Sequence, residues 1–292
     1  MNYPLFRPPA EADSLIIRAV QGCPHNSCAF CGMYKKTPFV ERDFTDLQSE
    51  ILQLRGKVSA YKRLFLADGD LMAISTGNLI KILECVNVNL PEIVRISIYA
   101  NSVSVGNKSS EDLLRFRQLK LSTVYTGLES GSVAVLKKLN KHDTPEDAIA
   151  ASIKLAAAGI KQSVMVLLGA GGREGSADHS HLSAETLNKM QPPLLSFLSM
   201  TPVPGTLLKK WVDEGSFHLL SRRENLQEIK MMIERLELKS TVFRCNHSSN
   251  AWPLEGRFPR DKERLLEEVN FLLGKLDGPA GDVVETVPSW AL

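Results

Sequence analysis

Three of the five cysteines lie within nine residues, in a Cys-x4-Cys-x2-Cys arrangement formed by Cys23, Cys28 and Cys31. Thiolates are soft ligands, and they favour zinc, copper(I) or an iron–sulfur centre. A structural zinc site takes four ligands, commonly in pairs, and the sequence shows no second pair with that spacing. Three cysteines on an iron–sulfur cube would leave one iron without a protein ligand. The loop therefore favours a cluster with one open coordination position.

This loop, with Phe30 just before its last cysteine, resembles the cluster loop of the radical S-adenosylmethionine enzymes, whose commoner spacing is Cys-x3-Cys-x2-Cys. Three further segments are similar to the fourth, fifth and sixth strand regions of the coproporphyrinogen-oxidase and methylthiotransferase branch. They are Thr-Gly-Leu-Glu-Ser-Gly-Ser at 126–132, Val-Leu-Leu-Gly-Ala-Gly-Gly at 166–172 and Leu-Ser-Met-Thr-Pro-Val-Pro-Gly-Thr at 198–206. The resemblance extends over residues 14–275.

The resemblance implies a [4Fe–4S] cluster on Cys23, Cys28 and Cys31, with S-adenosylmethionine as the second cofactor. It further implies reductive cleavage of S-adenosylmethionine to a 5′-deoxyadenosyl radical, which abstracts hydrogen from a substrate. An electron donor such as flavodoxin or ferredoxin would be needed. No cobalamin-binding domain, second cysteine cluster or RNA-binding domain is recognisable, which favours a small organic substrate. Two alternatives remain: an iron–sulfur electron-transfer protein without cofactor cleavage, and a zinc-stabilised α/β module.

Composition predicts a globular protein of the cytoplasm. The chain is 43% hydrophobic and 23% charged, and no apolar run approaches the roughly 20 residues of a membrane span. The first residues lack the pattern of a signal peptide, and the cysteine distribution does not suggest a disulfide framework. A net charge of +2 is too small to predict a nucleic-acid partner.

Short apolar strands alternate with amphipathic helices, which predicts an α/β fold with parallel strands and right-handed crossovers. The pattern and the resemblance together predict a partial (β/α)6 TIM-like barrel over 1–206 and a mostly helical C-terminal extension over 207–292 that closes it. The expected strands are 14–20, 63–67, 94–99, 123–128, 162–168 and 195–200. The expected helices are 43–56, 74–88, 109–119, 131–140, 145–158, 180–190, 206–214, 219–237 and 260–276. A β-like segment is expected at 240–245, and an irregular tail at 277–292.

Polar residues follow several of these strands, at the end where parallel α/β folds bind ligands. Asp68, Gly69 and Asp70 follow the second strand, Asn101 the third, and Leu168 ends the fifth. In the resembling family the turn after the second strand contacts the amino group of the cofactor. The single glycine allows close backbone approach, and a carboxylate accepts from an ammonium group. The other interpretation of this turn is an ordinary strand-to-helix connection with an acidic cap.

The resemblance assigns further cofactor contacts to residues that follow the fourth strand in the sequence. Glu129 lies where that branch carries an acid or amide facing the cofactor, and Lys141 where it carries a basic residue near the cofactor carboxylate. Phe30 would pack on adenine or shield the cluster, and Gly32 and Met33 would offer backbone groups to the adenine edge. The alternative for Glu129 is a carboxylate stabilised by a helix dipole. The alternative for Lys141 is a surface lysine, and that for Phe30 is an aromatic ring packed in the core.

The segment Arg-Cys-Asn-His-Ser-Ser-Asn at 244–250 is the densest run of hydrogen-bonding groups outside the barrel pattern. It resembles a segment of a smaller subgroup of the same branch. We interpret His247 and Asn250 as candidate substrate-contacting, catalytic residues, with the histidine able to hydrogen-bond or transfer a proton. The other interpretation is a turn bonded to itself. His179 and His181 are expected at the polar start of a helix, in a structural role.

Overall fold

The structure, a computed structural model, describes residues 5–276. The predicted tail at 277–292 lies outside the described residues. The described chain divides into two compact units. The first contains residues 5–26, 33–126 and 150–162, and the second contains 27–32, 127–149 and 163–276. Neither unit begins or ends at residue 206. The domain division that the sequence predicts there stays a prediction.

Strands and helices alternate along most of the described chain. The strands are β1 (Leu15–Arg18), β2 (Val20–Gln21), β3 (Val40–Glu41), β4 (Arg63–Ala67), β5 (Arg95–Tyr99), β6 (Leu121–Glu129), β7 (Lys161–Leu168), β8 (Leu194–Ser199), β9 (Thr241–Arg244) and β10 (Glu255–Phe258). The helices are α1 (Phe44–Leu54), α2 (Thr76–Asn89), α3 (Ser102–Gly106), α4 (Ser110–Gln118), α5 (Val133–Lys138), α6 (Pro145–Ala157), α7 (Gly172–Met190), α8 (Leu207–Asp213), α9 (Arg222–Arg235) and α10 (Lys262–Lys275).

The main sheet has eight strands within residues 5–276, in the order β1-β4-β5-β6-β7-β8-β9-β10. Parallel pairing is fixed by registers such as Leu15 with Leu64 and Ser163 with Leu194. Strand β10 pairs antiparallel with β9, through Phe258 opposite Thr241. A mostly parallel sheet with helices between its strands confirms the predicted α/β partial barrel with its helical C-terminal region.

The core of the first unit lies on the helix-covered face of its strands. Alternate residues of β4 and β5, including Leu64, Leu66, Ile96 and Ile98, are fully buried there. Because side chains alternate along a strand, the other face of β4 and β5 carries Phe65 and Tyr99. Their rings pack edge to face at 5.1 Å.

The second unit has its own core, in which β7, β8 and β9 pack against helical apolar faces. Val166, Phe197 and Phe243 supply the strand side, and Ile229 and Met232 supply the side of α9. A capping box starts α9, since Ser221 accepts from the backbone of Glu224 and the glutamate accepts in return.

The six predicted barrel strands are confirmed, but several details differ from the sequence expectations, among them the unpredicted pair of β2 with β3. Helix α7 begins at Gly172 rather than 180, because the glycine-rich turn that ends at that residue conceals its start. The β-like segment is β9, and it pairs with β10, which was not predicted. The short helix α3 was also missed. No helix in the described part of the chain is long and apolar enough to cross a membrane.

Candidate active site

The first half of the cysteine loop lies against the turn that follows β4. The amide of Gly69 donates to the carbonyl of Gly22 at 3.2 Å. A Cβ atom at residue 69 would come 2.7 Å from that carbonyl oxygen and 2.8 Å from the Cβ of Cys23. Glycine is therefore required where the turn approaches the first cysteine. The predicted approach of this turn to the cofactor stays a prediction.

The second half of the loop belongs to the other unit and is fixed through Ala29. Its amide donates to Leu139 at 2.8 Å, and its carbonyl accepts from Leu208 at 2.9 Å. Gly32 is equally constrained, since a Cβ atom there would lie 2.6 Å from Val203. Phe30 is half-buried and packs on the apolar cluster that includes Leu139 and Leu208.

The three loop cysteines form no disulfide and have partly exposed side chains, whereas Cys85 and Cys245 are buried. Within residues 5–276, no group of three or more His, Cys, Asp or Glu side chains is arranged to hold a single metal ion. The cysteines of an iron–sulfur cube bind different irons, so they lie further apart than the ligands of one ion. Thiol side chains that are partly exposed have the ligand chemistry that such a cluster requires.

The carboxylates after β4 are buried and partnered inside the first unit. Asp68 is fully buried and forms an ion pair with Arg18 at 3.0 Å. Asp70 accepts a hydrogen bond from the hydroxyl of Ser104 at 2.7 Å. The side-chain oxygen of Asn101 caps α3 by accepting from the backbone of Ser104 at 2.7 Å. These polar groups hold the strand-end turns in place.

Glu129 ends β6 with a φ of +61°, a left-handed conformation that is uncommon for a residue other than glycine. Its carboxylate lies over Gly127, where a Cβ atom would collide with Oε1. Lys141 lies 3.9 Å from Oε1 of Glu129 and 3.8 Å from Asp143. Burial raises the pKa of Glu129 to about 7, an effect that Lys141 opposes and Asp143 reinforces. Such backbone strain and a shifted pKa are typical of functional sites.

The remaining predicted cofactor residues differ in exposure. Leu168 is buried at the end of β7, where it is followed by Gly169, while Met33 is half-buried after the cysteine loop.

The loop at 247–250 is fixed on the end of β8. Asn250 accepts from the backbone and hydroxyl of Ser199 at 2.8 and 2.9 Å, and donates to the carbonyl of Phe197 at 2.8 Å. Nδ1 of His247 accepts from the amide of Ser249 at 3.1 Å, which assigns the proton of the neutral ring to Nε2. Burial lowers the pKa of His247.

An open pocket lies beside this loop, inside the second unit. It has about 850 Å³ of space, which includes its solvent-filled mouth. The ends of β7 and β8, the start of α9 and residues 248–252 surround it, and Arg222, Asn225 and Asn250 supply polar lining. His247 is not among the residues that line this pocket.

The sequence did not predict a buried polar cluster that α7 and α9 form. His179 lies in the middle of α7 rather than at a helix start, and it is fully buried together with Glu228 of α9. The sequence signal for this cluster was Glu228 beside the apolar residues of α9. That signal is weak, because a glutamate on a helix usually faces solvent.

The radical SAM superfamily model matches residues 17–176, which is more than half of the 292-residue chain. The chain belongs to the radical S-adenosylmethionine superfamily. Its cofactors are therefore those of the family, a [4Fe–4S] cluster and S-adenosylmethionine. No curated protein matches the chain.

Solved structures with the same fold include three radical S-adenosylmethionine proteins. The methyltransferase TsrM from Kitasatospora setae, solved with tryptophan and a cofactor analogue, gives a TM-score of 0.57 at 17% identity over 69% of this chain and 39% of that one. The cobalamin-dependent enzyme OxsB gives 0.62 at 15% identity over 90% and 47%. Coproporphyrinogen III oxidase (HemN) from Escherichia coli gives 0.56 at 15% identity over 76% and 51%. This superfamily member thus spans about half or less of each of these chains.

Proposed function

We propose that this protein is an enzyme that holds a [4Fe–4S] cluster on Cys23, Cys28 and Cys31, cleaves S-adenosylmethionine there, and acts on a small organic substrate. The observation that carries the proposal is the cysteine loop. Its three cysteine side chains are partly exposed, and its backbone is hydrogen-bonded at Gly22 and at Ala29. Three protein ligands leave one iron for the amino and carboxylate groups of the cofactor.

When bound, the cluster on Cys23, Cys28 and Cys31 and S-adenosylmethionine would together supply the one-electron chemistry for hydrogen abstraction from the substrate. The protein contributes binding, orientation and exclusion of water. The electron comes from a small redox protein such as flavodoxin or ferredoxin.

Glu129 is proposed to accept hydrogen bonds from cationic or polar groups of S-adenosylmethionine. Its carboxyl is buried beside Lys141 and has a pKa raised to about 7 by burial, so a bound cation would stabilise the ionised form. Lys141 is proposed to face the cofactor carboxylate.

The turn of Asp68, Gly69 and Asp70 is proposed to receive the cofactor amino group through backbone and carboxylate oxygens. Asn101 uses its side-chain oxygen for a helix cap, so its amide nitrogen is the group proposed to donate to the cofactor.

Phe30, Gly32, Met33 and Leu168 are proposed to form the adenine side of the pocket. Gly32 approaches Val203 too closely for any side chain, which leaves its backbone groups as the contacts it offers. The ring of Phe30, half-buried on an apolar cluster, supplies a flat surface beside Cys31.

His247 and Asn250 are proposed to contact the substrate. Asn250 lines the open pocket and fixes the loop, while the Nε2 proton of His247 gives that loop a donor. We expect His247→Ala and Asn250→Ala to preserve cluster content and slow uncoupled cofactor cleavage, while substrate turnover falls because the target carbon is no longer held in place. Equal turnover by both variants and the unchanged protein would contradict this assignment.

The decisive experiment for the proposed function is anaerobic reconstitution, reduction and incubation with S-adenosylmethionine, with 5′-deoxyadenosine identified by mass. We expect about four irons and four sulfides per chain, and loss of both in Cys28→Ala. Cys85→Ala and Cys245→Ala are the controls, because both side chains are buried away from solvent. A cluster that survives in Cys28→Ala but not in either control would refute the ligand assignment.

A further inference from the structure

Two fully buried ionisable side chains lie outside the residues assigned above. Glu228 of α9 and His179 of α7 both have side chains with no exposure to solvent. Oε1 of Glu228 lies 3.7 Å from Nε2 of His179. Burying a carboxylate is costly unless hydrogen bonds satisfy it. The groups that hydrogen-bond to Glu228 and His179 therefore show which parts of the backbone the two side chains hold in place.

Glu228 fixes the turn that follows β7. Its Oε1 accepts from the amide of Gly169 at 2.5 Å, and its Oε2 accepts from the hydroxyl of Ser176 in α7. Gly169 has a φ of +77°, which only glycine adopts freely, and it directly follows Leu168. The carboxylate of Glu228 therefore fixes a left-handed turn at the carboxyl end of β7.

His179 fixes the turn that follows β6. Its Nδ1 lies 2.8 Å from the hydroxyl of Ser130, whose oxygen also accepts from the amide of Ser132 at 3.0 Å. On the same helix, Ser183 accepts from the amide of Gly131 at 2.8 Å. These bonds restrain the residues immediately after Glu129.

Those restraints matter because Glu129 itself has an unfavourable backbone conformation. A φ of +61° at this residue is maintained only when the surrounding structure holds it in place. The backbone amide of Ser130 also closes a tight turn by donating to the carbonyl of Leu128 at 2.7 Å. A side chain that holds Ser130 thus determines where the carboxylate of Glu129 points.

We propose that His179 and Glu228 are positioning residues, which act through Ser130 and Gly169 to set the two strand-end turns that carry Glu129 and Leu168. This inference rests on the proposed function, because those turns matter to the reaction only if they contact S-adenosylmethionine. The pair binds no cofactor itself, and it acts by fixing backbone.

The test compares His179→Leu and Glu228→Met with the unchanged protein in two measurements. The first is amide hydrogen exchange of the intact protein in peptides that cover 129–133 and 168–172, which we expect to be about tenfold faster or more in the variants. The second is the Kd for S-adenosylmethionine, followed by the change it causes in the spectrum of the reduced cluster. We expect that Kd to rise about tenfold, while iron content and the cofactor-free spectrum stay unchanged.

Matched controls lie on the same two helices. His181→Leu changes an exposed histidine of α7, and Glu234→Met an exposed glutamate of α9, and neither should move either measurement. Glu228→Gln keeps an oxygen that can accept from Gly169, so it should restore most of the cofactor affinity. If Glu228→Met fails to fold, Ser130→Ala removes a single hydroxyl and should still raise the Kd several-fold.

Unchanged cofactor affinity in His179→Leu and Ser130→Ala would overturn the inference, even with faster exchange, because the pair would then serve stability alone. Simultaneous loss of cluster and affinity in folded variants would also overturn it. Failure of the unchanged protein to bind S-adenosylmethionine is a different result, which refutes the proposed function.

Discussion

Two buried carboxylates lie at the carboxyl ends of different strands, and they are stabilised in different ways. Asp68, after β4, is fully buried against the guanidinium of Arg18 at 3.0 Å. Glu129, at the end of β6, has its nearest cation at 3.9 Å, in a strained backbone conformation, with a pKa raised to about 7 by burial. The carboxylate of Asp68 has a close cation in the fold, whereas that of Glu129 remains costly to ionise, a cost that a cationic ligand would lower.

The largest effect should follow from removing the charge of Asp68. Asp68→Asn leaves Arg18 in a buried site without its anion, and we expect the free energy of unfolding to fall by about 3–5 kcal/mol. Urea unfolding measures the change. Asp213→Asn is the control, since it breaks an exposed ion pair with Lys209 and should cost less than about 1 kcal/mol. If Asp68→Asn costs no more stability than Asp213→Asn, the ion pair with Arg18 does not stabilise Asp68, and the contrast with Glu129 is lost.

The next effect is a pH dependence at Glu129. Its folded pKa of about 7 lies above the ordinary value of 4.5, so the native state binds the extra proton and stability falls as pH rises through this range. Glu129→Gln removes that loss. We expect the variant to gain about 2–3 kcal/mol relative to the unchanged protein between pH 5 and pH 8, as measured by urea unfolding at both pH values. A difference that does not change with pH would contradict the raised pKa.

The two glycines beside these carboxylates separate stability from binding. Gly69→Ala brings its new methyl group against backbone, and we expect a loss of about 1–3 kcal/mol in the free energy of unfolding. Gly127→Ala meets only the carboxylate end of Glu129, which can rotate away. Its stability should change by less than about 1 kcal/mol, but its affinity for S-adenosylmethionine should fall. The reverse pattern would mean that Glu129 is fixed as rigidly as Asp68.

The smallest effect concerns Glu129 as a ligand. Glu129→Ala should leave the cluster spectrum intact and weaken binding or cleavage of S-adenosylmethionine about tenfold, which corresponds to about 1.4 kcal/mol. Equilibrium binding and single-turnover cleavage measure it, with the exposed Glu185→Ala as control. Unchanged kinetics in Glu129→Ala would remove its role as a cofactor contact.

The sequence predicted the elements of this fold well, because buried parallel strands are short apolar runs and the helices between them are amphipathic. It also placed Gly69 and Glu129 at strand ends. It could not show that Asp68 pairs with Arg18, since the two are 50 residues apart and only strand pairing brings them together. The same limit applies to His179, Ser130 and Glu228, which three separate elements bring together.

The attachment of Ala29 bears on how the protein matures. Its amide and carbonyl are both bonded to backbone groups of helical segments, so hydrogen bonds of the protein itself hold the backbone between Cys28 and Cys31. Small zinc modules, in contrast, order their ligands only when metal binds, and binding and folding are then one event. Here the entropy of ordering this part of the loop is lost during folding of the polypeptide. We therefore expect that release of a cluster leaves this part of the loop ordered and ready to bind a cluster again.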